Sequence, residues 1–265
     1  MNFENLNKMI NYIEENLTEK IDYNELSKIV GEPKQILQRI FVFLTNMTIT
    51  EYIRKRRLQN AFEDLKLEDV KILDLSLKYG YESDIAFTRA FKAMFGMTPS
   101  EVKKAKDEKY KLMPIIKFNK DFEKMEFNYK IKDIEEIELY CFETEATNYD
   151  DLLYKIRELY RFLKETGIHK KLKASKMYGI SIERNEQLKY LVGSKEKMKN
   201  TIKYIIPKGK YAIFEVGSRE QKDITKLENN IYLTWKESSK IELDYDFSFE
   251  YYEEENCFLY IPIKA

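Results

Sequence analysis

One carboxylate in this 265-residue sequence stands among the residue types that bind organic cations. Glu250 lies between Phe249 and Tyr251 in a stretch that alternates as a β-strand does, so its side chain should share a face with Ser248 and Tyr252. A carboxylate among aromatic rings attracts cations through its charge and through cation–π contacts together. The less specific interpretation is that Glu250 faces solvent.

Further aromatic residues could complete a pocket around this carboxylate. Trp235, the single tryptophan, lies on a predicted helix that must pack on or near the sheet, and core packing explains it equally well. Pockets lined by aromatic side chains with a few polar groups suit small organic molecules. The sequence therefore predicts a site for a small aromatic or cationic ligand, lined by Tyr178, Tyr211, Trp235, Glu250 and Tyr252.

The inventory of metal-binding and nucleophilic residues is small. The sequence holds one histidine, His169, and two cysteines, Cys141 and Cys257. A tetrahedral zinc site needs four nitrogen or sulfur ligands at close spacing, which this set does not supply. We therefore expect no metal and no cofactor, and we place His169 in an exposed loop after a helix end. Two cysteines far apart in the sequence favour a reducing compartment.

Hydropathy and charge narrow the choice of partners. No stretch approaches the roughly 20 consecutive apolar residues of a membrane helix, and the first residues lack the pattern of a secretory signal. We expect a cytoplasmic protein without a membrane partner. Lys plus Arg and Asp plus Glu both number 46, so any binding to nucleic acid must come from local patches.

One dense basic run, residues 54–57, lies on a predicted long helix. Because adjacent helical residues are about 100° apart, roughly two of the four can face one duplex. We expect Arg54 and Arg57 to contact phosphates, together with Lys92, and a solvated helix face is the alternative. Residues 1–110 hold 18 basic and 18 acidic residues, which predicts modest affinity carried by local charge.

The helical pattern of residues 1–110 occurs twice, about 50 positions apart. Each copy reads as two short helices joined by a glycine turn, which is the pattern of a helix-turn-helix. The matching positions are Leu26, Ser27 and Gly31 with Leu75, Ser76 and Gly80, and Leu37, Arg39, Phe41, Met47 and Thr48 with Phe87, Arg89, Phe91, Met97 and Thr98.

The second helix of each copy should read DNA. Such a helix enters the major groove and contacts base edges through its first turns. The apolar stripe of each helix fixes which positions face away from the core, and ordinary solvent exposure is the alternative for these positions. The candidate base-contacting residues are Lys34, Gln35, Gln38 and Arg39 in the first copy, and Asp84, Ile85, Thr88 and Arg89 in the second.

The periodicity of the apolar residues separates two kinds of domain. Residues 1–108 show helical spacing throughout, residues 109–124 read as a linker, and residues 125–265 show two rounds of strand, helix, strand, strand. We therefore predict a multidomain protein: an all-α double helix-turn-helix domain, followed by an α+β domain with an antiparallel sheet and helices on one face.

Two resemblances cover nearly the whole chain. Residues 3–105 resemble the AraC-type DNA-binding domain, most densely at 79–83, 87–92 and 95–100, and again at 37–41 and 51–54 of the first copy. Asn46 stands where that family usually has glycine, and Asn is the next best residue for a left-handed turn. Residues 125–265 are similar to the GyrI-like (SHS2-module) ligand-binding domain, at 206–214, Tyr232, Trp235, 249–252 and 261–263.

The combined resemblance implies a transcription regulator in a Rob-like arrangement, with double-stranded DNA, a small-molecule effector and RNA polymerase as its partners. The resemblance implies an acidic ligand-binding residue at the position of Glu250, since GyrI-like domains carry one at the matching place, and it implies a role in multidrug binding. Two alternatives remain open. The second domain could be a hydrolase that uses Glu250 and a nearby tyrosine as an acid/base pair. The chain could also only sequester its ligand, because Asp84 and Ile85 are unusual residues for a DNA-reading surface.

Overall fold

The computed structural model describes residues 3–67, 70–105, 112–119, 126–174, 176–184, 187–244 and 246–264. The chain forms two compact units. The first comprises Met1–Leu37 and Leu44–Asp121, and the second comprises Gln38–Phe43 and Phe122–Ala265. The short segment 38–43 lies within a helix and belongs to the second unit. The predicted linker falls partly outside the described residues, and its bounds stay a prediction.

Among the described residues of 3–104 the structure has seven helices, which include the two predicted helix pairs. The first pair is α2 and α3, and the second is α5 and α6. The helices are α1 Phe3–Glu15, α2 Tyr23–Val30, α3 Lys34–Thr45, α4 Ile49–Leu67, α5 Ile72–Lys78, α6 Asp84–Phe95 and α7 Pro99–Lys104.

Local sequence fixes the helix ends. Asp22 caps α2 by accepting a hydrogen bond from the backbone N–H of Asn24, and Gly31 ends α2 in the left-handed conformation with φ of 77°. Ser83 caps α6 in the same way. Asn46 also adopts a positive φ, 54°, which confirms its predicted left-handed turn.

The second helix pair has an aromatic core. Phe87, Phe91 and Phe95 follow one face of α6 and are almost fully buried. They pack on Phe62 of α4, whose ring centroid lies 4.9 Å from that of Phe95 and 6.1 Å from that of Phe91. This packing leaves the opposite face of α6 exposed.

The second unit is built on one antiparallel sheet of eight strands, in the order β1-β6-β8-β7-β3-β4-β2-β5. The strands are β1 Tyr129–Ile134, β2 Ile137–Ala146, β3 Tyr178–Arg184, β4 Gln187–Ser194, β5 Ile202–Ile206, β6 Gly209–Glu215, β7 Phe247–Glu253 and β8 Asn256–Pro262. The architecture of a helical domain followed by an antiparallel α+β domain is confirmed.

The helices of the second unit are α8 Tyr149–Glu165, α9 Ile168–Ala174, α10 Gln221–Asn230 and α11 Lys236–Ser239, with a π-helical turn, Ile231–Trp235, between the last two. The structure corrects one prediction here. His169 lies in α9, partly buried against the ring of Tyr160, because the chain forms a second short helix directly after Gly167.

The two faces of the sheet carry different cores. On one face, side chains of α8, α9 and α10 pack on residues such as Phe142, Val192 and Tyr252. The cluster on the other face holds strand residues, among them Tyr178, Tyr211 and Phe249. Strand alternation therefore assigns Glu250 to the helix-covered face.

Candidate functional site

Glu250 lies at the middle of the helix-covered face, on the central strand β7. Its partner across the strand pair is Gly179 of β3. A Cβ atom at Gly179 would lie 2.8 Å from the Oε2 atom of Glu250 and 2.6 Å from the hydroxyl oxygen of Tyr190. These distances are shorter than van der Waals contact, so the absence of a side chain at Gly179 makes room for the carboxylate and its tyrosine neighbour.

Three tyrosines form a hydrogen-bonded chain to this carboxylate. The hydroxyl of Tyr252 donates to Oε2 of Glu250 at 2.5 Å, and the hydroxyl of Tyr190 donates to the same oxygen at 3.4 Å. The hydroxyls of Tyr160 and Tyr190 share a hydrogen bond of 3.0 Å. The predicted pairing of Glu250 with Tyr252 on one face is therefore present, and Tyr160 and Tyr190 extend it.

Burial changes the acidity of this cluster. Removal from water is the main cause that raises the pKa of Glu250 to about 7. The nearby charge of Glu228 acts in the same direction, and the Tyr252 hydrogen bond and the charge of Arg39 oppose it. Burial and the Glu250 carboxylate together raise the pKa of the Tyr252 and Tyr190 hydroxyls far above the usual range. The tyrosines therefore stay neutral hydrogen-bond donors, while Glu250 titrates near neutral pH.

Two more carboxylates belong to this site. Glu183 shares the face of Gly179 because it lies four residues further along β3, and it is 7% exposed. Glu228 comes from α10, and its Oε1 atom accepts a hydrogen bond from the hydroxyl of Ser248 at 3.4 Å. The Oε2 atom of Glu183 is buried without a hydrogen-bond partner among the described residues.

A guanidinium from the segment 38–43 of the second unit pairs with these two carboxylates. The Nη2 atom of Arg39 donates to Oε1 of Glu183 at 2.8 Å, and Nη1 donates to Oε1 of Glu228. The guanidinium also lies 5.7 Å from the centroid of the Tyr232 ring, a cation–π contact. The Arg39 side chain is 11% exposed.

The ion pairs keep Arg39 charged in spite of its burial. Loss of water lowers the pKa of the guanidinium, but the charges of Glu228 and Glu183 outweigh this and hold the pKa well above its ordinary value. Burial also raises the pKa of Glu183, with Arg39 acting in the opposite direction. The site thus combines two buried carboxylates, Glu183 and Glu250, with the half-buried Glu228, and the Arg39 guanidinium lies between Glu183 and Glu228 against the Tyr232 ring.

The other predicted pocket residues are distributed over both faces of the sheet. Tyr178 and Tyr211 belong to the cluster on the other face of the sheet. The prediction that they line a pocket with Glu250 is therefore corrected, because the strand pairing places their side chains on the opposite face. Trp235 packs edge-on against Phe214 and Tyr129, with ring centroids 4.8 and 5.0 Å apart. Its indole N–H is buried and has no partner among the described residues.

The predicted DNA-reading residues of the second helix pair lie on the surface. Asp84, Ile85 and Arg89 are exposed, as is the predicted phosphate contact Lys92, and Thr88 is half-buried. In α3, Lys34 is exposed and lies over the Tyr23 ring at 5.1 Å, while Gln35 and Gln38 are half-buried. Unlike these residues, Arg39 forms ion pairs with Glu183 and Glu228.

Two of the four basic residues at 54–57 of α4 form contacts within the protein. Arg56 forms a bidentate pair with Glu14, with nitrogen–oxygen distances of 2.8 and 2.9 Å. Arg57 donates to the backbone carbonyls of Leu17 at 2.7 Å and Glu19 at 2.6 Å. Arg54 is exposed, and with Arg57 it borders a cavity of about 510 Å³ in the first unit.

Within the part of the chain that the structure describes, no helix is long and apolar enough to cross a membrane. No cluster of three or more potential metal ligands occurs among those same residues. Cys141 and Cys257 are buried, free thiols.

Comparisons with known proteins match both parts of the chain. Residues 26–105 match the family described as a helix-turn-helix domain, and residues 130–263 match the integron-associated effector binding protein family. The transcriptional activator AarP of Providencia stuartii is 34% identical over 95 residues, which cover 36% of this chain and 70% of that protein. The regulatory protein SoxS of Salmonella typhimurium is 36% identical over 35% of this chain and 87% of its own length. A solved structure of SAV2435 bound to tetraphenylphosphonium is 13% identical, with a TM-score of 0.46, and covers 52% of this chain and 94% of that one.

Proposed function

We infer the function of this chain from its family, because it belongs to the AraC-type helix-turn-helix regulators and, over residues 130–263, to the integron-associated effector binding proteins. We propose that it regulates transcription in response to a small organic cation bound by its second unit. The helix-turn-helix residues 26–105 would bind double-stranded DNA in the cytoplasm, and RNA polymerase would be a further partner.

One observation carries the choice of ligand: Glu250 is a buried carboxylate bonded to tyrosine hydroxyls, and no ion pair among the described residues neutralises it. Burying an unpaired carboxylate is costly, so the ionised form needs a cationic partner. An organic cation with aromatic groups supplies the charge and packs against the surrounding rings.

Titration calorimetry on the full chain tests this proposal. Tetraphenylphosphonium and tetraphenylborate have the same shape and opposite fixed charge, so their comparison isolates the electrostatic term. We expect only the cation to bind, and Glu250→Gln to weaken its binding at least tenfold at pH 8, since this substitution removes the charge and keeps the shape. Equal binding of both ions, or equal affinity of the Glu250→Gln variant, would contradict a cation site at Glu250.

The same geometry favours a second candidate function. A carboxyl group with a pKa of about 7, hydrogen-bonded to Tyr252 at 2.5 Å, could serve as an acid/base pair in hydrolysis. Product analysis with a panel of reactive esters and epoxides separates the two functions. Hydrolysis that is lost in both Glu250→Gln and Tyr252→Phe would favour the hydrolase. Recovery of all test compounds without hydrolysis would favour the ligand-responsive regulator.

A further inference from the structure

The acidic cluster on the helix-covered face contains a cation supplied by the protein itself. We propose that Arg39 is an internal competitor for the organic cation: it occupies the acidic site when ligand is absent, and ligand binding displaces it. This inference rests on the proposed cation site and adds how that site is regulated.

The contacts of Arg39 resemble those expected of a bound organic cation. Its planar, charged group lies between the carboxylates of Glu183 and Glu228 and against the Tyr232 ring. Charge from two carboxylates and the face of an aromatic ring are the features that recognise a delocalised cation. A ligand that used these groups would therefore have to replace the guanidinium.

Ligand and guanidinium also share an electrostatic environment at Glu250. Ser248 lies two residues before Glu250 on the same face of β7, and its hydroxyl donates at 3.4 Å to the Oε1 atom of Glu228 that also accepts from Arg39, so these groups form one connected cluster. The cluster remains acidic with Arg39 in place because, among the described residues, Glu250 has no ion-pair partner and the Oε2 atom of Glu183 has no hydrogen-bond partner. The negative charge of the cluster would attract an organic cation, and the bound cation would weaken the ion pairs of Arg39 with Glu183 and Glu228.

Displacement would change what Arg39 can do elsewhere. Arg39 occupies the repeat position that corresponds to Arg89, where the sequence predicts a DNA contact. With its side chain 11% exposed and held by Glu183 and Glu228, the Arg39 guanidinium is not available to a base or a phosphate. The organic cation would thus free one DNA-reading residue while it fills the site.

Affinity for tetraphenylphosphonium, measured on the full chain, provides the first test. Arg39→Met removes the competing charge and keeps an apolar side chain of similar length. If Arg39 fills the site about 90–99% of the time, its removal should tighten binding by about 10- to 100-fold. Arg161→Met is the matched control, because Arg161 is a 63% exposed residue of α8 that pairs with Glu158. Equal or weaker binding by Arg39→Met would overturn the competition.

The outcome for Glu250→Gln separates this inference from the proposed function. If Glu250→Gln weakens binding and Arg39→Met does not tighten it, the cation site stands and the competitor role fails. If tetraphenylphosphonium binds neither the unsubstituted protein nor Arg39→Met, both proposals fail.

Chemical labelling of the unsubstituted protein provides a second test that does not depend on a variant. Phenylglyoxal modifies accessible guanidinium groups, and peptide mass spectrometry reports the modification rate of each arginine. Tetraphenylphosphonium should raise the rate at Arg39 severalfold and leave that of Arg89, which is already exposed, unchanged. An Arg39 rate that stays constant or falls would refute displacement.

Discussion

Cation binding should depend on pH through Glu250. With a pKa raised to about 7, this carboxyl is about 9% ionised at pH 6 and about 91% at pH 8. If only the ionised form binds, the affinity for tetraphenylphosphonium should rise roughly tenfold over this interval, because the charge of the ligand does not titrate. Titration calorimetry in matched ionic strength measures this change.

Few other groups near Glu250 could change the affinity for the cation between pH 6 and pH 8. The hydroxyls of Tyr160, Tyr190 and Tyr252 and the thiol of Cys257 have pKa values raised by burial, so they remain neutral from pH 6 to pH 8. Arg39 remains charged because its carboxylate partners hold its pKa well above the ordinary value, and the Arg219 guanidinium lies 5.4 Å from the centroid of the Tyr252 ring. Glu228 of α10 and Glu183 of β3 also face the site, and His169 of α9, whose pKa burial lowers, lies against the Tyr160 ring.

Two variants assign the pH dependence. Glu250→Gln should abolish it, whereas Glu183→Gln should leave it in place. A tenfold rise that persists in Glu250→Gln, or an unsubstituted protein whose affinity is constant across the interval, would refute the assignment of the titration to Glu250. Loss of the rise in Glu183→Gln alone would place it on the other carboxylate, whose pKa burial also raises.

The stability of the ligand-free protein should change in the opposite direction. A carboxyl whose pKa is higher in the folded state than in the unfolded state binds its proton more tightly when folded. Its contribution is therefore fully present below the unfolded pKa, near 4.5, and is lost as the pH rises through about 7. This shift corresponds to about 3 kcal/mol of unfolding free energy, which denaturant titrations at pH 4 and pH 8 would show as a difference from Glu250→Gln. Parallel pH profiles for the two proteins would rule it out.

Three further predictions concern packing, internal ion pairing and DNA contact. Gly179→Ala should lower tetraphenylphosphonium affinity at least tenfold, since its Cβ would lie 2.6–2.8 Å from the tyrosine hydroxyl and the carboxylate; unchanged affinity would show that the site adapts. Arg56→Met should lower the free energy of unfolding by about 3 kcal/mol, because it leaves Glu14 without its ion-pair partner. Lys55 is partly exposed, so Lys55→Met should lower the free energy of unfolding by less than about 0.5 kcal/mol, and similar losses in the two variants would contradict this. Arg89→Ala should weaken specific DNA binding by about 1–3 kcal/mol in a fluorescence anisotropy titration, and an unchanged affinity would exclude a bidentate base contact.

Features that depend on neighbouring residues in the sequence were predictable. The cap at Asp22, the left-handed turns at Gly31 and Asn46, and the boundaries of α2 follow from side-chain chemistry within a few positions. The shared face of Glu250 and Tyr252 likewise follows from alternation within one strand, which requires no knowledge of the partner strands.

Features that depend on pairing between distant segments were not predictable in the same way. Alternation within β3 shows that Tyr178 and Glu183 lie on opposite faces, but only the pairing of β3 with β7 shows which of them shares a face with Glu250. The contribution of Glu228 depends further on how α10 packs against the sheet. These residues give no signal in the sequence apart from being acidic or aromatic in predicted strands and helices.

The two copies of the helix-turn-helix illustrate the same distinction at one repeat position. Arg39 and Arg89 occupy equivalent places, and the repeat predicts the same role for both. Arg89 lies exposed on α6, whereas Arg39 is held by carboxylates 144 and 189 positions away in the sequence. A repeat conserves the helix and its apolar face, but it does not determine what meets the polar face. The repeat therefore predicts the fold of each copy correctly. It does not predict the role of each arginine, because Glu183 and Glu228 compete with DNA for Arg39 and no such pair meets Arg89 among the described residues.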